Sequence, residues 1–186
     1  MPLLLFMEKA ILIAGIIRNP EIKPEDIFRA LKMAFGISPS HISREMDFGF
    51  TTYYEKEMGR NLKRSWAGFF VPGEFFDAGN LADFKNLARN TEEKFTYTDG
   101  AGIGAVAKKR RVNIDPGYLT PSKIVLASTK DFSHRIYLSN GIYGEVTLTF
   151  SDGKYSPLPW TYPDYKTDVF MEFAYLLRGL LVKGKK

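Results

Sequence analysis

The run Ala10-Ile11-Leu12-Ile13-Ala14-Gly15-Ile16-Ile17 has no polar side chain and is closed by Arg18-Asn19-Pro20. Eight residues are too few to cross a bilayer. A strand with one wet face would alternate apolar and polar residues instead. The run therefore predicts a strand buried on both faces in the middle of a sheet. With 186 residues, 45% of them hydrophobic, the chain is expected to form one domain, 1–186, around that strand. Ahead of the run, Met1-Pro2-Leu3-Leu4-Leu5-Phe6 lacks a basic start, and Glu8-Lys9 cut it short, unlike a signal sequence. A start at Met7 would remove this leader. Cysteine is absent, which excludes disulfides, thiolate metal sites and cysteine nucleophiles and fits a cytoplasmic protein.

Pro24 opens a helix whose apolar residues Ile27, Ala30, Leu31, Ala34 and Phe35 keep helical spacing until Gly36. Period two follows through Ile42, Met46, Phe48 and Phe50, predicting a half-buried strand. Residues 51–59 form an aromatic and acidic connection, and 66–71 another strand ended by Pro72-Gly73. Asn80 is placed to cap a second helix running through Leu81, Phe84, Leu87, Ala88, Thr91 and Phe95. The glycine-rich stretch 99–105 lacks the Gly-Lys-Ser/Thr of a phosphate loop and is expected to be a flexible connection. With a strand at 111–114, the order becomes β-α-β-β-α-β. The expected fold class is α+β: a ferredoxin-like core with a C-terminal antiparallel β-meander and terminal helix.

Turn chemistry, charge and aromatic rings are densest between residues 110 and 150. Asp115-Pro116-Gly117-Tyr118 carries the signal of a type II turn, with glycine at the positive φ. Thr120-Pro121 has the grammar of a capped helix start, so 121–128 is expected to be a short helix, although Ile124 and Val125 also suit a strand. As a helix it would converge free N–H groups, Ser122 and Lys123 on an anion, within reach of Arg111. For the next hairpin, a three-residue loop Ser139-Asn140-Gly141 is preferred to a two-residue turn. It pairs Leu138 with Ile142, Ile136 with Gly144 and His134 with Val146, and sets Tyr137 against Tyr143 and Arg135 against Glu145. Asp152-Gly153 turns the chain into a further strand at 154–158, and residues 159–165 make a rigid aromatic connection. From Asp168 a last helix carries an apolar stripe suited to the core or to a homo-oligomer contact.

Several of these segments are similar to an uncharacterised prokaryotic family, the domain-of-unknown-function family numbered 4416. The resemblance is carried by Phe50-Thr51, Tyr53-Tyr54-Glu55 and Glu57-Met58-Gly59, by Asn113-Ile114-Asp115-Pro116-Gly117-Tyr118-Leu119-Thr120, and by the stretch 123–137. Gly141-Ile142-Tyr143, Glu145-Val146-Thr147-Leu148 and Pro159-Trp160-Thr161-Tyr162-Pro163-Asp164-Tyr165 extend it over nearly the whole chain. It implies no established activity and transfers no catalytic residue.

Net charge is +5, which favours anionic partners. The expected function is to bind a phosphorylated or otherwise anionic small molecule, with action on that molecule as a further expectation. Ligand contacts are expected from Arg111, Tyr118, Ser122, Lys123, Lys130 and Arg135, with Tyr54, Glu57 and Tyr162 as walls. Asp115, His134 and Glu145 are the candidate acids, bases or ligands to a hard cation such as Mg2+. Ser40-His41-Ile42-Ser43 contains a His-x-Ser element of two-histidine phosphoesterases, but His134-Arg135-Ile136 lacks the second hydroxyl, which rejects that class. An RNA-binding module is the alternative, from the basic block Lys108-Lys109-Arg110-Arg111 and exposed aromatics. A non-catalytic assembly subunit is the third reading. No membrane association is expected.

Overall fold

The structure, a computed structural model, describes residues 9–98 and 108–183. The apolar run forms β1 (Ile11–Arg18), buried at all eight positions. It is followed by α1 (Pro24–Phe35), which Gly36 ends in the left-handed conformation with its N–H on the Lys32 carbonyl. The long strand expected next is two short pieces, β2 (His41–Ile42) and β3 (Met46–Asp47). Between them Ser43 inserts its hydroxyl into the ladder, accepting the Trp66 N–H at 2.9 Å. A single helical turn, α2 (Glu55–Met58), lies in the aromatic connection. The next strand, β4 (Lys63–Phe69), starts three residues earlier than expected because Arg64 is buried as an ion pair with Asp164.

Helix α3 (Leu81–Glu92) forms where predicted, but the Asn80 side chain makes no capping bond. Asp77 caps a preceding 3-10 turn instead, accepting the Gly79 N–H at 2.9 Å. Strands β5 (Thr96–Thr98) and β6 (Lys108–Arg110) pair with each other alone. The glycine-rich segment between them lies outside the described residues.

Two expectations in the central stretch are corrected. Residues expected to turn at Asp115-Pro116-Gly117-Tyr118 run straight through β7 (Val112–Leu119), and the expected helix is strand β8 (Lys123–Ser128). The turn sits between them: Thr120 accepts the Ser122 and Lys123 N–H groups on its hydroxyl. β9 (Ile136–Ser139) and β10 (Ile142–Ser151) form the hairpin, and β11 (Lys154–Pro157) extends it. Asn140 and Gly141 both have positive φ, so the loop has two residues. A shift in register after the Ser139/Ile142 pair then produces the expected Tyr137/Tyr143 and Ile136/Gly144 partners. The chain closes with α4 (Asp168–Lys183). No helix among the described residues is long and apolar enough to cross a membrane.

The protein is thus α+β, with a nine-stranded sheet in the order β11-β10-β8-β7-β1-β4-β2. β3 also joins β4, and β9 joins β10. The meander continues the same sheet rather than following a separate four-stranded core. All its pairings are antiparallel. Side chains alternate along β1: Leu12, Ala14 and Ile16 pack under Ile27, Leu31 and Ala88 of α1 and α3, and Ile11 and Ile13 pack with Phe170 and Leu177 of α4.

One ladder is incomplete. β7 pairs with β8 over Gly117–Leu119 only, and the strands part towards their other ends. Ile114, in the stretch without a β8 partner, turns its backbone away from β1: its N–H donates to Glu92 Oε1 at 2.6 Å, and its carbonyl accepts from Lys85 Nζ at 2.9 Å. Backbone direction repeats every two residues in a strand, so the nitrogen of Pro116 faces that same open edge. Proline has no N–H to form the next rung. Gly117 then lets β8 approach closely. A Cβ there would collide with the Val125 carbonyl and lie 2.7 Å from Leu126 Cδ2. That contact, rather than a positive φ, requires the glycine.

Two substitutions test this packing. Gly117→Ala is expected to destabilise by about 1–3 kcal/mol through overpacking, lowering Tm by several degrees in a thermal melt. Gly179→Ala, inside α4 with nothing within 4 Å of the added carbon, is expected to raise Tm. An unchanged melt for Gly117→Ala would refute the close approach.

Candidate functional site

Where β7 and β8 part, the two lips and α3 enclose a cavity of about 470 Å³, the size of a small-molecule site. One lip is β7, with Asn113 and Asp115. The other runs from Leu126 through Lys130. Lys85, Arg89 and Glu92 reach in from α3 at helical spacing i, i+4, i+7. Aromatic walls come from Phe48, Phe50, Tyr53 and Tyr54 before and at α2, and from Tyr162 and Tyr165.

Five ion pairs line or brace this space. Lys85 donates to Asp115 Oδ1 at 2.8 Å, and Asn113 Nδ2 holds the other carboxylate oxygen at 2.6 Å. Arg110 spans Glu92 Oε2 and Glu57 Oε2, both at 2.9 Å, and donates to Asn113 Oδ1 at 2.8 Å. Arg135 donates to Glu145 Oε2 at 2.6 Å, to Ser128 Oγ at 2.8 Å and to the Tyr162 hydroxyl at 3.0 Å. Arg64 meets Asp164 Oδ2 at 2.9 Å and lies over the rings of Trp66 and Tyr165. Its place exists because residue 15 is glycine: a Cβ there would come within 2.7 Å of Arg64 Nη2 and 2.5 Å of the Tyr165 hydroxyl.

Each carboxylate of the lining thus has a cationic partner. Two lining cations, Arg89 and Lys130, have no carboxylate partner among the described residues. Arg89 donates weakly to Asn86, and Lys130 donates to the Tyr53 hydroxyl at 3.2 Å from above its ring. Both are exposed at the mouth. Deeper, the Arg64 guanidinium and the Trp66 indole N–H share the buried Tyr165 hydroxyl.

The local environment separates the titrating groups. Burial alone would raise the Asp115 pKa, but Lys85, Arg64 and the Asn113 amide more than offset it and hold the carboxyl below its ordinary value. Glu92 goes the other way, since burial outweighs Lys85, the Ile114 N–H and Arg110. Burial, reinforced by Asp115, keeps the Tyr54 hydroxyl protonated well above the usual tyrosine range. Among the described residues no three His, Asp or Glu side chains converge as metal ligands.

Six of the residues expected to form a site line the cavity: Asp115, Glu145, Lys130, Arg135, Tyr54 and Tyr162. Two more touch its lining. Glu57 binds Arg110, and His134 lies 3.1 Å from Glu145 Oε2, stacked on Trp160. The rest lie elsewhere. Arg111 pairs with Glu21 at 2.9 Å and covers Tyr97, one residue out of phase with Arg110 along the chain. Tyr118 packs beside Val125 and Ile142, and Ser122 and Lys123 flank the turn at the paired end of the β7–β8 hairpin. Convergence of Ser122 and Lys123 at a helix start does not occur, because no helix forms there.

Arg64, Lys85, Arg89, Glu92 and Arg110 were not anticipated. The i, i+4, i+7 stripe of Lys85, Arg89 and Glu92 was visible as a polar face on a helix whose other face is apolar. Gly15, a bare position in an otherwise bulky central strand, marked the close approach of Arg64 and Tyr165.

A depressed folded-state pKa contributes stability above the unfolded aspartate value of about 3.9, lost as pH falls through the folded value. Asp115→Asn is therefore expected to lower stability at neutral pH by roughly 1.5–3 kcal/mol. It should also flatten the acid limb of Tm against pH below about 4. Parallel acid limbs for the two proteins would contradict the Lys85–Asp115 assignment.

No curated protein and no solved structure matches the chain. The model of one family matches residues 8–180, through both lips of the cavity and all five ion pairs. The chain belongs to that family, described as a domain of unknown function, DUF4416.

Proposed function

We propose that the cavity binds a small phosphorylated or otherwise anionic molecule. The observation that carries this reading is the charge surplus: the lining carboxylates are matched, and Arg89 and Lys130 remain over at the mouth. Unmatched cations facing a partly enclosed space raise the local concentration of anions and strengthen their hydrogen bonds. On the finer fold, we read β7-β1-β4-β2 with α1 and α3 as a ferredoxin-like unit. Its strand order and alternating directions support this, and the meander widens it on the β7 edge.

The RNA reading has less support. In the basic block, Arg110 is neutralised by Glu57 and Glu92, and Arg111 by Glu21. An interface with phosphodiesters needs those charges free. The assembly reading rests on β9, where Ile136, Tyr137 and Leu138 are exposed.

A thermal-shift titration tests the proposal. Inorganic phosphate, pyrophosphate and ribose 5-phosphate are expected to raise Tm by mass action, and uncharged ribose to leave it unchanged. The double variant Arg89→Ala/Lys130→Ala should keep its fold and lose about 1–2 kcal/mol of phosphate-ester affinity, roughly five- to thirtyfold in Kd. Equal response to ribose and its phosphate, or full affinity in the double variant, would overturn the reading.

A further inference from the structure

We propose that the occupant is a phosphate ester carrying a flat heterocyclic ring, of which a nucleoside monophosphate is the simplest probe. This rests on the anion-binding reading and adds a second subsite to it. The cavity has two chemically different regions. Its charged side holds Arg89 and Lys130, neither with a carboxylate partner among the described residues. That side calls for an oxygen-rich, negatively charged group.

The other side is aromatic. Phe50 and Tyr162 line the cavity yet stay 39% and 48% exposed, unusual for large rings with a core available. Phe50 is braced by a T-shaped contact with Phe48, centroids 5.8 Å apart, and keeps part of its surface open. Tyr162 makes no ring contact and carries no cation among the described residues, while the bond from Arg135 to its hydroxyl holds the ring in place. Rigid, uncovered rings at the rim of a cationic cavity are the features that hold a planar base while its phosphate is held by charge. Neither feature serves a bare anion. A sugar phosphate would leave both rings in water.

Isothermal titration of the full chain tests this with AMP, GMP, CMP, UMP, ribose 5-phosphate and adenosine. At least one mononucleotide is expected to bind roughly tenfold or more tightly than ribose 5-phosphate, and adenosine more weakly than AMP. Phe50→Ala and Tyr162→Ala should each weaken that mononucleotide about tenfold without changing ribose 5-phosphate. Tyr162→Phe, which keeps the ring, should retain mononucleotide binding. A 5′-phosphorylated trinucleotide is expected to bind more weakly than the mononucleotide. Equal binding would assign the same two subsites to the terminal nucleotide of an RNA strand. If no mononucleotide exceeds ribose 5-phosphate, the ring subsite is overturned and the anion site stands. If no phosphate ester binds, both fall.

Discussion

The open edge of β7 is the constraint on which the rest of the site depends. A strand in mid-sheet that loses its neighbour exposes backbone N–H and carbonyl groups, and burying them unpaired would cost several kcal/mol. Here the loss is covered from two directions. Glu92 and Lys85 take the N–H and carbonyl of Ile114, and Pro116 has no N–H to cover. β8 is thereby released to diverge, and the gap becomes a cavity rather than a defect. The helix that repairs the edge also places Arg89 at the mouth, on the same stripe as the two repairing side chains.

Burying so many charges in one place is tolerable only because they interlock. Arg110 reaches two carboxylates and an amide, Asn113 links Arg110 to Asp115, and Lys85 serves both the backbone and Asp115. Each group satisfies a neighbour's spare valence, so removing one strands others. The network also fixes the side chains around the cavity before any ligand arrives, reducing the ordering cost of binding.

The fold was largely legible where hydrophobic period decides the structure. The uninterrupted run 10–17 marked the central strand, and the spacing of Ile27, Leu31 and Phe35 marked α1. It failed where tertiary context overrides local grammar. Asp115-Pro116-Gly117 has the residues of a turn, yet the proline sits where a rung is absent and the glycine where β8 crosses closely. Thr120-Pro121 looks like a helix start, but Thr120 closes a hairpin turn. The lip formed by 126–135 was legible because charged and aromatic residues concentrate there. The α3 side was not, since Lys85 and Glu92 read as an ordinary solvated stripe until the edge they repair is known. Arg110 and Arg111 are neighbours in one basic block, and only the geometry around the β5–β6 pair sends them to different sides.

The central claim is that the split between β7 and β8 receives an anion. The most direct measurement is an amide chemical-shift titration of isotopically labelled protein with a phosphate ester. The account predicts saturable shifts on both lips, at 113–115 and 128–130, and on α3 near Lys85 and Arg89, with the hairpin turn at 120–123 unmoved. Shifts confined to the turn, or to the outer surface around Arg111, would contradict it.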